Sequence, residues 1–114
     1  MQAKAEARYI RVSAQKARLV VDLIRGMQAG AALNTLRAAN KRIAPTVEKV
    51  LQSAIANAVN RDEDVDVDTL VVSEAYVNEG PRMKRVRPAP MGRAYRYQRR
   101  MSHIVIKVTG KDKE

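Results

Sequence analysis

A basic stretch between two strand-like segments constrains the fold of this chain more than any other feature. Residues 80–100, GPRMKRVRPAPMGRAYRYQRR, carry eight basic side chains and no acidic one, so they supply +8 of the net charge of +10. Apolar runs typical of β-strands lie before it at 70–77 and after it at 104–108, and the PAPMG sequence at 88–92 breaks its centre. The pattern predicts a long β-hairpin, and we call residues 80–100 the arm.

The predicted hairpin is too long to lie within the rest of the protein. The eighteen residues 70–87 span about 60 Å as a strand at roughly 3.3 Å per residue. A globule made of the other residues is only about 30 Å across. Half of the hairpin should therefore project. A lone two-stranded ribbon is marginal in water even without like charges, so the arm is expected to need an anionic support.

Basic positions occur on both faces of the predicted arm. Because neighbouring strand residues face opposite ways, Lys84 and Arg85 point to different sides of the outgoing strand, as do Arg96 and Arg99 on the return strand. A ribbon lying on a flat surface needs charge on one face only. The pattern therefore predicts an arm enclosed by folded nucleic acid.

Two tyrosines in the arm allow two interpretations. Tyr95 and Tyr97 share a face and lie too far out to enter a protein core. They either stack on exposed bases of single-stranded or looped RNA or make cross-strand contacts that stiffen the ribbon. The sequence favours neither.

Composition limits the other classes of function. The chain has 114 residues, enough for one domain, and no Cys, which excludes disulfides and thiolate metal sites. No apolar run approaches the roughly 20 residues needed to cross a bilayer, so a soluble intracellular protein without membrane contact is expected. Seven of the eight arm cations are Arg, whose planar fork favours phosphate and bases over a membrane surface.

No enzyme motif is present, and neither a cofactor nor a metal is expected. The only histidine, His103, lies in a predicted strand, and no phosphate-cradling glycine loop or HExxH sequence occurs. The acidic run at 62–68 resembles a calcium loop in charge alone, because it lacks the glycine and the distal glutamate of an EF-hand. A solvated turn is predicted there.

The globular part is predicted to contain one short edge strand, at 2–12, and three helices. Ser13 is a good N-cap and Gly26 a stop signal, which gives a first helix over about 14–25 and a second over 29–39. The third begins near Pro45 and has the clearest apolar stripe. Its predicted core positions are Val47, Val50, Leu51, Ala54, Ile55, Ala58 and Val59.

Strand alternation predicts which side chains face these helices. On the first hairpin strand, the residues predicted to face the helices are Val71, Ser73, Ala75 and Val77. On the second hairpin strand they are Ile104, Ile106 and Val108. On the edge strand, Tyr9 is predicted to lie on the same side as Ala5 and Ala7. Polar residues of the third helix such as Asn57 are expected to face water, with contact to a partner as the alternative for Asn57. Lys16, Arg18 and Arg25 fall off the apolar stripe of the first helix and either face solvent or touch phosphate.

Two binding functions fit these features. One is an RNA scaffold protein of the ribosomal type, whose arm threads folded RNA. The other is a DNA-bending architectural protein with paired basic arms and a proline wedge at each tip, which would act as a dimer. Charge on both arm faces and the lack of an obvious dimer surface weigh against the second.

Three segments resemble the bacterial large-subunit ribosomal protein number 22 family. They are SAQKARLVVDLIRG at 13–26, SAIANA at 53–58, and the arm pattern GPxMKRxxPxxxGRAxRxxxRxSHI at 80–104. The resemblance covers nearly the full chain. It implies an α+β fold, in which three helices pack on a small three-stranded antiparallel sheet and a long basic β-hairpin protrudes from a single RNA-binding domain.

The resemblance also implies partners and site residues. The expected partners are large-subunit ribosomal RNA, neighbouring ribosomal proteins and the nascent polypeptide in the exit tunnel, which the hairpin lines; the protein would be a monomer within the ribosome and support its assembly. The expected RNA contacts are Arg8, Arg11, Ser13, Lys16, Arg18, Arg82, Met83, Lys84, Arg85, Arg87, Arg93, Arg96, Arg99 and Arg100. The expected tunnel-facing tip is Pro88, Ala89, Pro90, Met91 and Gly92.

Overall fold

The computed structural model of the protein describes residues 1–81, 83–88 and 94–111, with the backbone alone for 83–88 and 94–99. The elements are β1 Gln2–Ile10, α1 Ala14–Ile24, α2 Ala29–Ala38, α3 Ala44–Arg61, β2 Val71–Glu79, β3 Met83–Pro88, β4 Ala94–Arg99 and β5 Ser102–Thr109, with a short 3-10 turn at Val67–Thr69 before β2. The predicted α+β class is confirmed.

Strands β1, β5 and β2 form one antiparallel sheet in that order. β5 is the central strand, and its Ile104, Ile106 and Val108 are fully buried beneath the helices, as predicted. The helices cover one face of this sheet, and the core between the two layers is aliphatic and rich in alanine.

Local signals at both ends of α1 act as predicted. The Ser13 hydroxyl accepts a hydrogen bond from the Lys16 backbone N–H at 3.3 Å. Gly26 ends the helix with φ at +83°, a left-handed conformation that costs glycine little. The predicted start of α3 is also confirmed, because Pro45 lies in its first turn, where a missing N–H matters least.

The buried stripe of α3 is narrower than predicted. Val47, Leu51 and Ala58 are buried, but Ile55 is half-buried and Val59 is 37% exposed, so the assignment of Val59 to the core is wrong. At about 100° per residue, Val59 lies about 120° around the helix axis from Val47. The buried positions of α3 all lie within about 60° of Val47 around the axis, so Val59 falls outside the buried arc.

Two bulges change the predicted strand faces. In β2 the register shifts between Val72 and Glu74, so that Val72 is buried whereas Val71 is half-buried and Ser73 exposed. The prediction that Val71 and Ser73 face the helices is therefore wrong. One extra residue in a strand reverses the alternation beyond it.

The second bulge lies in β1, where the register shifts between Ala7 and Ile10. Tyr9 has a positive φ of 58°, and its side chain is 60% exposed, so it does not share the buried side with Ala5. Its backbone N–H donates to Nδ1 of His103 at 3.1 Å. The two rings meet edge to face, with centroids 5.0 Å apart.

Helix α1 covers the free edge of β2 with arginine side chains. Arg18 Nη2 donates to the Val77 carbonyl at 3.0 Å, and Arg25 Nη2 donates to the Ala75 carbonyl at 2.6 Å. An open edge offers unpaired backbone groups to other chains. These arginines therefore protect the sheet as well as joining it to the helix.

Helix α3 does the same for the free edge of β1. Asn57 Nδ2 donates to the Lys4 carbonyl at 2.9 Å, and Arg61 Nη1 donates to the Gln2 carbonyl at 3.2 Å. Asn57 is exposed, as predicted, and its amide binds the strand edge in addition.

The arm is a separate two-stranded sheet of β3 and β4. The strand predicted to run unbroken over 70–87 is divided into two, because β2 ends at Glu79 and β3 begins at Met83. At this point the Gly80 N–H donates to the Met101 carbonyl at 2.8 Å. The molecule measures 72 × 26 × 16 Å along its principal axes, in agreement with the predicted protruding hairpin.

Candidate nucleic-acid interface

A groove of about 900 Å³ lies at the base of the arm, where the β1–α1 loop, the α2–α3 loop and the residue after β4 meet. We call it the basal groove. Its lining residues are Ile10, Arg11, Val12, Ser13, Lys16, Leu19, Lys41, Arg42, Ile43, Thr46 and Arg100. Five of them are cationic and none is acidic. The groove is therefore a basic surface continuous with the basic arm.

Two helices direct their N-terminal ends at this groove. Ser13 and Lys16 come from the start of α1, and Ile43 and Thr46 from the start of α3. Neither helix carries an acidic residue in its first turn. Because the N-terminal end of a helix has a partial positive charge, both helices add to the positive potential of the five side chains.

Several cations on the rest of the globule, unlike the five groove cations, have a carboxylate partner. Among the described residues, no carboxylate lies within ion-pair distance of a groove cation. Elsewhere, Arg37 Nε lies 2.8 Å from Glu48 Oε1, and Lys107 Nζ lies 3.1 Å from Glu74 Oε2. The hydrogen bond and the charge of Glu74 raise the pKa of Lys107 above its ordinary value of 10.5. Uncompensated charge is thus concentrated at the arm base.

The structure brings four of the predicted RNA contacts together in the basal groove. These are Arg11, Ser13, Lys16 and Arg100. Arg8 does not join them: it lies on β1, outside the groove, with Nε 3.3 Å from Glu6 Oε1.

Arg18 occupies a different position from the other predicted contacts. It lines a smaller hollow of about 220 Å³ with Glu79, Gly80, Arg100 and Met101, while its guanidinium donates to the edge of β2. Arg18 therefore connects the sheet to the arm base. A guanidinium has five N–H donors, so this bond leaves others for a phosphate, and its RNA contact stays a prediction.

Lys41 and Arg42 are groove residues that were not predicted from the sequence. They form an adjacent basic pair directly before α3, and no acidic residue occurs between Asp22 and Glu48. This local excess of positive charge was the available signal. It did not indicate that the α2–α3 loop would pack beside the β1–α1 loop.

The register of the arm supports basic positions on both faces. Val86 pairs with Arg96, and Arg85 and Arg87 pair with positions 97 and 95. Because paired residues share a face, Lys84 and Arg96 occupy one face, and Arg85 and Arg87 the other.

Other predicted arm residues are placed only by their strand positions or lie outside the described part. Met83 pairs with Arg99 at the inner end of the ribbon, and Pro88 pairs with Ala94 at its outer end. Tyr95 and Tyr97 lie opposite Arg87 and Arg85, so base stacking and cross-strand contact both stay predictions. The predicted residues outside the described part are Arg82, Ala89, Pro90, Met91, Gly92 and Arg93.

The described residues form neither a metal-binding cluster nor a membrane-spanning helix. No group of three or more His, Asp or Glu side chains is placed to hold a metal ion in this part of the chain. Among the helices described, none combines the length and apolarity that a bilayer crossing requires.

Known proteins similar to this chain are ribosomal proteins. A family model described as ribosomal protein L22p/L17e matches residues 5–109. The chain is 85% identical over 112 residues to a large ribosomal subunit protein uL22 of Solibacter usitatus (strain Ellin6076), covering 98% of this chain and 99% of that protein. It is 53% identical over 115 residues to the protein of the same name in Koribacter versatilis (strain Ellin345), covering 97% of this chain and 69% of that one.

Proposed function

This chain belongs to the ribosomal protein L22p/L17e family, and we propose that it holds ribosomal RNA of the large subunit with its basal groove and its arm. It is a protein of the large ribosomal subunit, and its place is the ribosome in the cytoplasm. Its partners there are large-subunit ribosomal RNA and neighbouring ribosomal proteins, and it acts as a monomer within the particle. A structural role rather than catalysis fits a family of ribosomal proteins.

The observation that carries the RNA-binding proposal is the charge of the basal groove. Five cations from three separate segments surround about 900 Å³ without an acidic neighbour in the lining. Phosphates are the ligands that such a site suits, because Arg, Lys and helix N-termini all bind them. One RNA segment would bind in the groove and another along the arm. The protein would then hold the two segments together, which supports assembly of the subunit.

The arm is the part that we assign to the peptide exit tunnel. The support for this is its length and its charge: the molecule extends over 72 Å, and the paired strands place basic positions on both faces. RNA on both sides of the ribbon would leave the tip, residues 88–92, to face the lumen and the nascent polypeptide. The family match extends through the arm.

A binding titration tests the RNA proposal against the DNA-bending alternative. The full chain is titrated with a large-subunit ribosomal RNA fragment and with duplex DNA of equal length, and its oligomeric state is measured. We expect a monomer that prefers the structured RNA. Equal affinity for the duplex, or binding as a dimer, would favour the DNA alternative.

The arm's part in binding is tested by neutralising four of its arginines to glutamine, Arg93, Arg96, Arg99 and Arg100. If each touches a phosphate, the slope of log affinity against log salt should fall by about 2.8–3.6, since each phosphate contact contributes roughly 0.7–0.9. Circular dichroism should remain unchanged. The matched control neutralises four cations outside the groove and arm, Lys4, Arg37, Lys49 and Lys107. A slope equal to that of the control would refute the role of the arm.

A further inference from the structure

We propose that the basal groove holds an unpaired RNA nucleotide, with its base on an apolar floor and its flanking phosphates on the cationic rim. The inference rests on the proposed RNA binding and goes beyond it, because it specifies the form of RNA that the groove accepts. The ligand is a single-stranded or bulged nucleotide rather than the backbone of a continuous duplex.

The floor of the groove is apolar and only partly covered by the protein. Ile10, Val12 and Ile43 are half-buried, packing on the core on one side and lining the groove on the other. Leu19 is 59% exposed and lines the same groove. Four large apolar side chains in a strongly basic groove match a ligand that is both anionic and apolar.

An unpaired nucleotide is such a ligand, whereas duplex RNA is not. A continuous duplex presents phosphates and ribose to its surroundings and keeps the faces of its bases stacked inside. An unstacked base exposes two flat faces, which proteins cover with apolar and aromatic side chains or with Arg. Only the unpaired form would use Leu19 and the floor beneath it.

The rim supplies the complementary charge. Arg11, Lys16, Lys41, Arg42 and Arg100 line the same groove as the apolar side chains, and three of the five are arginines, which can both pair with a phosphate and stack on a base. The volume of about 900 Å³ lies at the upper end of the roughly 300–1,000 Å³ typical of small-ligand sites. It admits a base with its ribose.

The same helix offers a matched control for Leu19. Leu23 lies one turn further along α1 and is 52% exposed, but it does not line the basal groove. Both leucines are on the surface, so Leu19→Asn and Leu23→Asn should leave the fold intact, which thermal melting checks. Neither substitution changes the charge of the protein.

The experiment measures binding of the full chain to three RNA stems: one with a single bulged adenosine, one with an abasic residue at the bulge, and one fully paired. We expect the wild-type protein to bind the bulged adenosine at least about fivefold more tightly than the abasic stem, because the base buries apolar surface against Leu19 and the floor. Leu19→Asn should abolish this preference without changing the salt slope, because no phosphate contact is lost. Leu23→Asn should retain it.

The outcomes separate this inference from the function on which it rests. If the wild-type protein binds none of the stems, the proposed RNA binding fails. If it binds all three equally, or if Leu23→Asn acts like Leu19→Asn, RNA binding stands and the nucleotide site is overturned. A competition experiment tests a protein segment as the ligand, with an acidic peptide that contains leucine at the same concentration as the bulged stem. If the peptide displaces the stem from the wild type but not from Leu19→Asn, the groove binds a protein segment and the inference is overturned.

Discussion

Neutralising the two groove cations from the α2–α3 loop gives the most direct test of the site. Lys41 and Arg42 both line the basal groove, and the double substitution Lys41→Gln, Arg42→Gln removes two of its five positive charges. If each contacts one phosphate, the salt slope should fall by about 1.4–1.8. With an unchanged intercept, the affinity at 100 mM salt should fall roughly 25- to 60-fold.

The assay is a filter-binding titration with a large-subunit ribosomal RNA fragment at several salt concentrations. Both side chains are exposed and lie outside the core, so the melting temperature should stay close to that of the wild type. The control removes the same charge from the adjoining α2–α3 surface by Arg37→Gln with Lys49→Gln, two residues outside the groove lining. Equal effects of the two double substitutions would show that net charge alone matters, and would refute the groove as a phosphate site.

Three further predictions concern stability and are measured by thermal or urea unfolding. Gly80→Ala should destabilise the arm base by about 1–3 kcal/mol, because an added Cβ would lie 3.1 Å from the Met101 carbonyl oxygen; a gain in stability would contradict this close approach. Arg25→Met should lower the free energy of unfolding by about 1 kcal/mol, the value of a charged hydrogen bond reduced for its exposure to solvent. An unchanged free energy of unfolding would mean that the hydrogen bond to the edge of β2 does not stabilise the protein. Leu51→Ala should cost roughly 2–5 kcal/mol and Ile55→Ala clearly less, because Leu51 is fully buried and Ile55 only half-buried; equal losses would contradict the observed face of α3.

Features set by nearby residues were predictable from the sequence. The Ser13 cap, the Gly26 stop and the apolar repeat of α3 are local signals, so the helices begin and end close to the expected residues. The paired arm strands followed from charge and turn residues at 80–100. The family resemblance added the number of strands in the main sheet.

Features that depend on packing between distant segments were not predictable. Strand alternation assumes an uninterrupted ladder, and the bulge next to Ser73 reversed the face of Val71. Lys41 and Arg42 became groove residues because two loops and the arm base converge. Asn57 looks like any exposed polar residue until the carbonyl of Lys4 is seen opposite it.

The central position of β5 has a consequence for the order of folding. Both β1 and β2 form their ladders with β5, and Gln2 pairs with Thr109. The helices need only local contacts, whereas the sheet must close a loop that contains nearly the whole chain, and long-range pairing of this kind is slow. During synthesis the arm is made before β5, so the sheet completes after the most basic segment has emerged. RNA that binds the arm before β5 is made therefore binds a chain in which β1 and β2 have not yet paired with β5.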